Sequence, residues 1–154
     1  MLRLRNGDAS FDLDIERYEF DAAMDYDDAN WLVIKIVCSD QQYQWSATDS
    51  CLLTYELKEF YDWVRSLESL IGERSSISFL EGELEFEYEK TTNNLSIALN
   101  FKFHPKGNSF QYGEDGDERY IMKFQMNNRL DHLLSDIKTL IDKFPERLKH
   151  KRGT

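Results

Sequence analysis

Apolar residues recur with two periods along this chain, and the changes between them mark out its elements. Phe11, Leu13 and Ile15 alternate with Asp12, Asp14 and Glu16, the period-two pattern of a half-buried strand. The phase then slips to Tyr18 and Phe20, which predicts a bulge near Glu16 and Arg17. "NWLVIKIVCS" is apolar on both faces for most of its length and reads as a central strand. Tyr43, Trp45 and Ala47 alternate with Gln42, Gln44 and Ser46 to give a third. The period then changes. Leu57, Phe60, Tyr61, Val64, Leu67 and Ile71 recur at helical spacing, with Thr54 as N-cap, Glu56 near the positive end of the helix dipole and Gly72 as the stop.

The second half repeats this plan. "SISFLEG", "ELEFEYEK", "LSIALNFKF" and "RYIMKFQMN" read as four strands. Leu130, Leu133, Leu134, Ile137, Leu140, Ile141 and Phe144 form one apolar stripe, capped by Asn127 or Asn128 and stopped by Pro145. The expected fold is α+β: a mostly antiparallel sheet of about seven strands packed with two amphipathic helices, in the order βββα-ββββα. Strands then helix, twice over, suggests either a duplication or one sheet with two helices on one face. Residues 1–146 are expected to form one domain, and 147–154 a flexible basic tail.

One hairpin can be set in register from the pattern. With Thr91 to Asn94 as its loop, Tyr88 faces Ile97, Phe86 faces Leu99 and Leu84 faces Phe101 on the core side. Glu83, Glu85, Glu87 and Glu89 then share the other face, opposite Lys102, Asn100, Ala98 and Ser96. Such a row either guards a sheet edge or meets a basic surface. The following "HPKGNSFQYGEDGDE" (104–118) is a long loop ending in Glu114, Asp115, Asp117 and Glu118, with Phe110 and Tyr112 as exposed anchors or as pins to the core.

Charge sharpens the reading. The net charge is −10, and residues 1–75 hold 7 Lys/Arg against 16 Asp/Glu. A body of this sign repels nucleic-acid phosphates and anionic membrane surfaces and steers basic proteins toward it. The two cysteines, Cys38 and Cys51, sit in apolar surroundings and do not make a disulfide scaffold. The N-terminus has no apolar leader segment and "WLVIKIV" is too short to span a bilayer, so the expected location is the cytoplasm.

"DYDDANWL" packs Asp25, Asp27 and Asp28 into four positions. Read as a calcium loop from Asp25, it carries Ala29, Asn30 and Ile36 where an oxygen ligand, a glycine and a glutamate belong. It reads instead as a turn into the central strand, rooted by Trp31. The three histidines, His104, His132 and His150, stand at unrelated positions, and no metalloprotease, nucleophile-elbow or phosphate-loop motif occurs. No cofactor, metal site or enzyme activity is expected.

"YDDANWLVIKIVCSD" (26–40) followed by "CLLTYELKEFYDWVRSL" (51–67) resembles the WapI family of bacterial immunity proteins, and "FDLDIERYEF" and "LEFEYE" fit in order. The resemblance implies a protein that protects its producer by binding a cognate toxin domain, often a nuclease. Trp31, Leu32, Leu52, Leu53, Leu57 and Trp63 of the matched stretch read as core. Charge alone nominates the partner-facing residues: Asp25, Asp27, Asp28, Glu83, Glu85, Glu87, Glu89, Glu114, Asp115 and Asp117, against a basic toxin domain. The alternative is a small-molecule-binding or enzymatic domain with 104–118 as a lid.

Overall fold

The computed structural model describes residues 1–111 and 118–148. The first half forms strands β1 (Leu2–Asn6), β2 (Ala9–Tyr18), β3 (Trp31–Ser39) and β4 (Gln44–Leu53), with a one-turn helix α1 (Tyr26–Asn30) leading into β3 and helix α2 (Thr54–Ser66) following β4. The second half forms β5 (Arg74–Ser78), β6 (Leu84–Glu89), β7 (Asn94–Leu99) and β8 (Tyr120–Gln125), closed by helix α3 (Leu130–Lys143). Each half is a four-stranded antiparallel meander, β1-β2-β3-β4 and β5-β6-β7-β8. The mixed class is as expected, but the strands divide between two sheets, and the described residues form eight of them.

The additional strand is β1. Leu2 and Leu4 are buried between exposed Arg3 and Arg5, and a two-residue turn with Gly7 at φ +57° returns the chain into β2. The expected bulge is present, since Ile15 pairs with Ile34 while Arg17 pairs with Val33. β3 is central, flanked by β2 and β4. β4 runs six residues past Ala47, and a second irregularity opposite Leu32 and Val33 leaves Cys51 unpaired in the ladder.

Helix α2 starts at Thr54, its supposed cap, so the true cap falls one residue earlier. Leu53 holds the N-cap position, and the Glu56 carboxylate turns back to accept its backbone N–H at 3.1 Å. The α-helix ends at Ser66, a 3-10 turn covers Leu67–Ser69, and Ile71 is 98% exposed, so it does not belong to the buried stripe. Arg129, not an asparagine, precedes α3, and no side chain caps that helix. The β6–β7 hairpin closes one residue earlier than expected, with Glu89 opposite Asn94 and Phe86 opposite Ile97. Each residue therefore meets a partner two positions away from the expected one. Two is the strand's side-chain period, so every inward residue stays inward. β7 also ends at Leu99, because Phe101 adopts φ +52° and starts a 3-10 turn over Phe101–Phe103.

One hydrophobic cluster joins the inner faces of both sheets and both long helices. The Phe60 ring of α2 stacks on Phe86 of β6 at 4.5 Å, and α3 lies along β1, where the Asp136 carboxylate accepts the Arg3 N–H. The sheets meet where the Asn6 amide donates to the Lys123 carbonyl at 3.2 Å. Leu32, Leu52, Leu53 and Leu57 are buried, whereas Trp31 and Trp63 are half-buried. Among the described residues no helix is long and apolar enough to cross a membrane.

Candidate functional site

The acidic turn is built by its own first residue. The Asp25 carboxylate accepts the backbone N–H groups of Asp27 (2.9 Å) and Asp28 (3.4 Å), so Asp25 caps α1. Asp27 and Asp28 stand exposed in the first turn, at the positive end of that short helix. Behind them lies Asn30, fully buried and using its whole hydrogen-bonding capacity. Its amide nitrogen donates to the Tyr26 and Arg147 carbonyls, both at 2.7 Å. Its oxygen accepts from the Thr54 hydroxyl at 2.9 Å and the Arg147 N–H at 2.8 Å. One amide thus locks the turn to the start of α2 and to the C-terminal segment.

Arg147, the first residue of the expected tail, is pinned. Its guanidinium donates to the carbonyls of Ala29, Asp21 and Phe20 and lies 3.8 Å over the Tyr18 ring. The rest of the basic tail from Lys149 onward lies outside the described residues.

The Tyr26 hydroxyl donates to the Glu146 carboxylate at 2.7 Å. Burial, then that hydrogen bond, then the charges of Glu146 and Asp27 push the Tyr26 phenol up to about 12. Burial, then the charges of Glu56, Asp27 and Glu59, also raise Tyr55. Asp27, Glu59 and Glu146 therefore form one exposed field around two half-buried tyrosines. Tyr26, Tyr55, Glu59 and Glu146 escaped the sequence reading. The Tyr55–Glu59 spacing on α2 was available as a signal, but nothing local brings Glu146 to Tyr26.

The glutamate row is divided by the structure. Glu85, Glu87 and Glu89 do lie on the outer face of the second sheet, beside a trough of about 320 Å³ whose floor is Asn94, Ser96 and Ala98 of β7. They are answered by cations there. Arg119 meets Glu85 at 2.8 Å, and Arg74 bridges Glu87 and Glu89 at 3.4 and 3.0 Å. With Lys123 on β8, this face carries as many cations as anions.

Glu83 is not part of the row. It precedes the ladder, turns inward and is 7% exposed. Its Oε2 has no hydrogen-bond partner among the described residues. Burial first, and then the neighbouring Asp49 carboxylate, push Glu83 up to about 8, so it holds a proton at neutral pH. The hydrogen bond from Glu83, together with Lys102 at 3.2 Å, keeps Asp49 below the usual carboxylate range despite its partial burial. Glu114, Asp115 and Asp117 lie outside the described residues. The described start of their loop is pinned to the core, where His104 stacks on Phe110 at 4.3 Å and both are buried.

Both cysteines are buried free thiols, and burial raises them, Cys38 to about 12 and Cys51 further still. Among the described residues no group of three or more His, Cys, Asp or Glu side chains is placed to hold a metal ion.

No curated protein and no solved structure matches the chain. A family model does, over residues 1–145, a span that takes in both sheets, all three helices and the Asp25–Asn30 turn. The likeness read from "DDANWL" and "LLTYEL" thus extends over nearly the whole sequence, and the chain belongs to the immunity protein WapI-like family, whose members answer a toxin.

Proposed function

We propose that this immunity protein neutralises its toxin by direct binding in the cytoplasm, and that it catalyses no reaction itself. The observation that carries the reading is the exposed field of Asp27, Glu59 and Glu146 around Tyr26 and Tyr55, fixed from behind by Asn30 and Arg147. Tyrosines beside clustered carboxylates suit a partner that offers cations and shallow apolar pockets. A nuclease domain is such a partner, because a surface made for phosphate is basic. Asp25 and Asp28 extend the field, and Glu114, Asp115 and Asp117 are partner-facing candidates on charge alone. Glu85, Glu87 and Glu89 form a secondary contact, since their cations must be exchanged for the toxin's.

Neither nucleic acid nor membrane is a partner in this reading. The test is titration of the intact protein with a cognate toxin domain, at several salt concentrations. Binding that weakens steeply with salt is the expected result. Absence of binding at every ionic strength would reject the reading.

A further inference from the structure

We propose that the cleft between the outer edge of β1 and the start of α3 binds a phosphate-bearing small molecule. The cleft holds about 470 Å³, within the range of small-ligand sites, and Arg3, Arg5, Arg129 and His132 line it. In a chain of net charge −10, a cleft lined by three arginines and one carboxylate stands apart from the overall balance.

Two of the arginines have charge to spare. Arg129 reaches across the cleft and donates to the Arg5 carbonyl at 2.9 Å, a neutral acceptor that leaves its charge uncompensated and most of its donors unused. Neither Arg129 nor Arg3 forms an ion pair with a described residue. Arg5 is different, because Asp12 takes its guanidinium at 2.6 Å. The one carboxylate in the lining, Asp136, is held by the Arg3 backbone N–H at 3.2 Å.

Guanidinium forks match the oxygens of a phosphate, and Arg3 of β1 and Arg129 of the turn before α3 both line the cleft. His132, exposed on the first turn of α3, offers a ring N–H as a further donor. Buried Leu4 and Leu133 line the same cleft and give the organic part of a phosphomonoester an apolar floor. This site is separate from the acidic field around Tyr26, so it stands or falls independently of toxin binding.

The experiment is calorimetric titration of the full chain, at low salt, with inorganic phosphate, 5′-AMP and adenosine. The expected result is binding of phosphate and 5′-AMP and none of adenosine. Equal affinity for the first two assigns recognition to the phosphate alone, and tighter 5′-AMP adds the nucleoside; both support the site. Arg3→Gln and Arg129→Gln, each checked for an unchanged melting temperature, are expected to weaken 5′-AMP at least about tenfold. Arg74→Gln, in the trough of the second sheet, is expected to leave it within about twofold. Three results would overturn the proposal: no binding of phosphate or 5′-AMP up to millimolar concentration, adenosine binding as tightly as 5′-AMP, or affinity unchanged in both folded cleft variants.

Discussion

Asn30 and Arg147 grip each other twice: the Asn30 amide donates to the Arg147 carbonyl at 2.7 Å, and the Arg147 N–H donates to the Asn30 oxygen at 2.8 Å. The pair closes a circuit between residues far apart in sequence, and the Arg147 guanidinium extends it to the segment before α1 through Phe20 and Asp21 and to α1 itself through Ala29. Asn30→Ala is expected to leave buried donors and acceptors unpaired at Tyr26, Thr54 and Arg147, at a cost of about 2–4 kcal/mol. Asn30→Asp should be at least as damaging, because an acceptor then faces the Tyr26 and Arg147 carbonyls. Melting temperature measures both, at about 2–4 °C per kcal/mol for a chain of this size. Amide exchange should quicken first over residues 19–30. Unchanged protection there would show that the clasp does not hold the turn.

The pH dependence of stability tests the inward Glu83. Its carboxyl is raised from an ordinary 4.5 to about 8, so the folded protein keeps a proton that the unfolded chain has already released. The folded state binds more protons between those values, and stability from this group falls as pH rises from about 4.5 to about 8, then stays level. Glu83→Gln removes the titration, and its amide can still donate to Asp49. The variant and the natural protein should melt together near pH 5 and diverge upward through pH 8, the variant gaining about 1–3 kcal/mol. Parallel curves across that range would mean that Glu83 carries its charge when folded.

These two residues show what the sequence could and could not reveal. The strand-like alternation through Phe11, Leu13 and Ile15 announced both β2 and its bulge, because period and phase are properties of neighbouring residues. The same rule placed Glu83 in a row with Glu85, Glu87 and Glu89. The alternation continues through it, but the ladder begins only at Leu84, and what Glu83 meets is Asp49 on another sheet. β1 was missed for a different reason: its two leucines and two arginines are too short a run to stand out before the Gly7 turn. Arg147 read as tail because its neighbours are basic, while its partners lie more than a hundred positions away. The acids of the turn were legible, and Tyr55 and Glu59 left a helical-spacing signal, but Glu146 lies 120 positions from Tyr26 and left none.

The cysteines give a simple probe of native packing. Burial raises both thiols, Cys38 to about 12 and Cys51 beyond it, and the thiolate is the reactive form. Neither should react with a disulfide reagent at pH 8 while the protein is folded, and both should react once it is denatured. Labelling rates should therefore follow unfolding, and Asn30→Ala should speed them. Rapid modification of one thiol in the native protein would place it at an accessible surface, contrary to the 0% and 2% exposure of Cys38 and Cys51.

Charge reversal separates steering from packing in the proposed toxin contact. Asp27 and Glu59 are exposed and make no ion pair with a described residue, so Asp27→Lys and Glu59→Lys should alter stability by no more than about 0.5 kcal/mol. If these acids guide a basic toxin domain, both variants should slow its association and flatten the dependence on salt, with a smaller change in dissociation. Tyr55→Ala should do the reverse, speeding dissociation by about tenfold or more while association stays close to its natural rate, because a half-buried aromatic acts after encounter. Glu87→Lys adds the same charge change on the balanced outer face of the second sheet, where Arg74 already answers Glu87. Its effect on association should be the smaller one. Equal slowing from Glu87→Lys and Asp27→Lys would mean that the toxin senses only net charge, and the field around Tyr26 would lose its claim to be the docking surface.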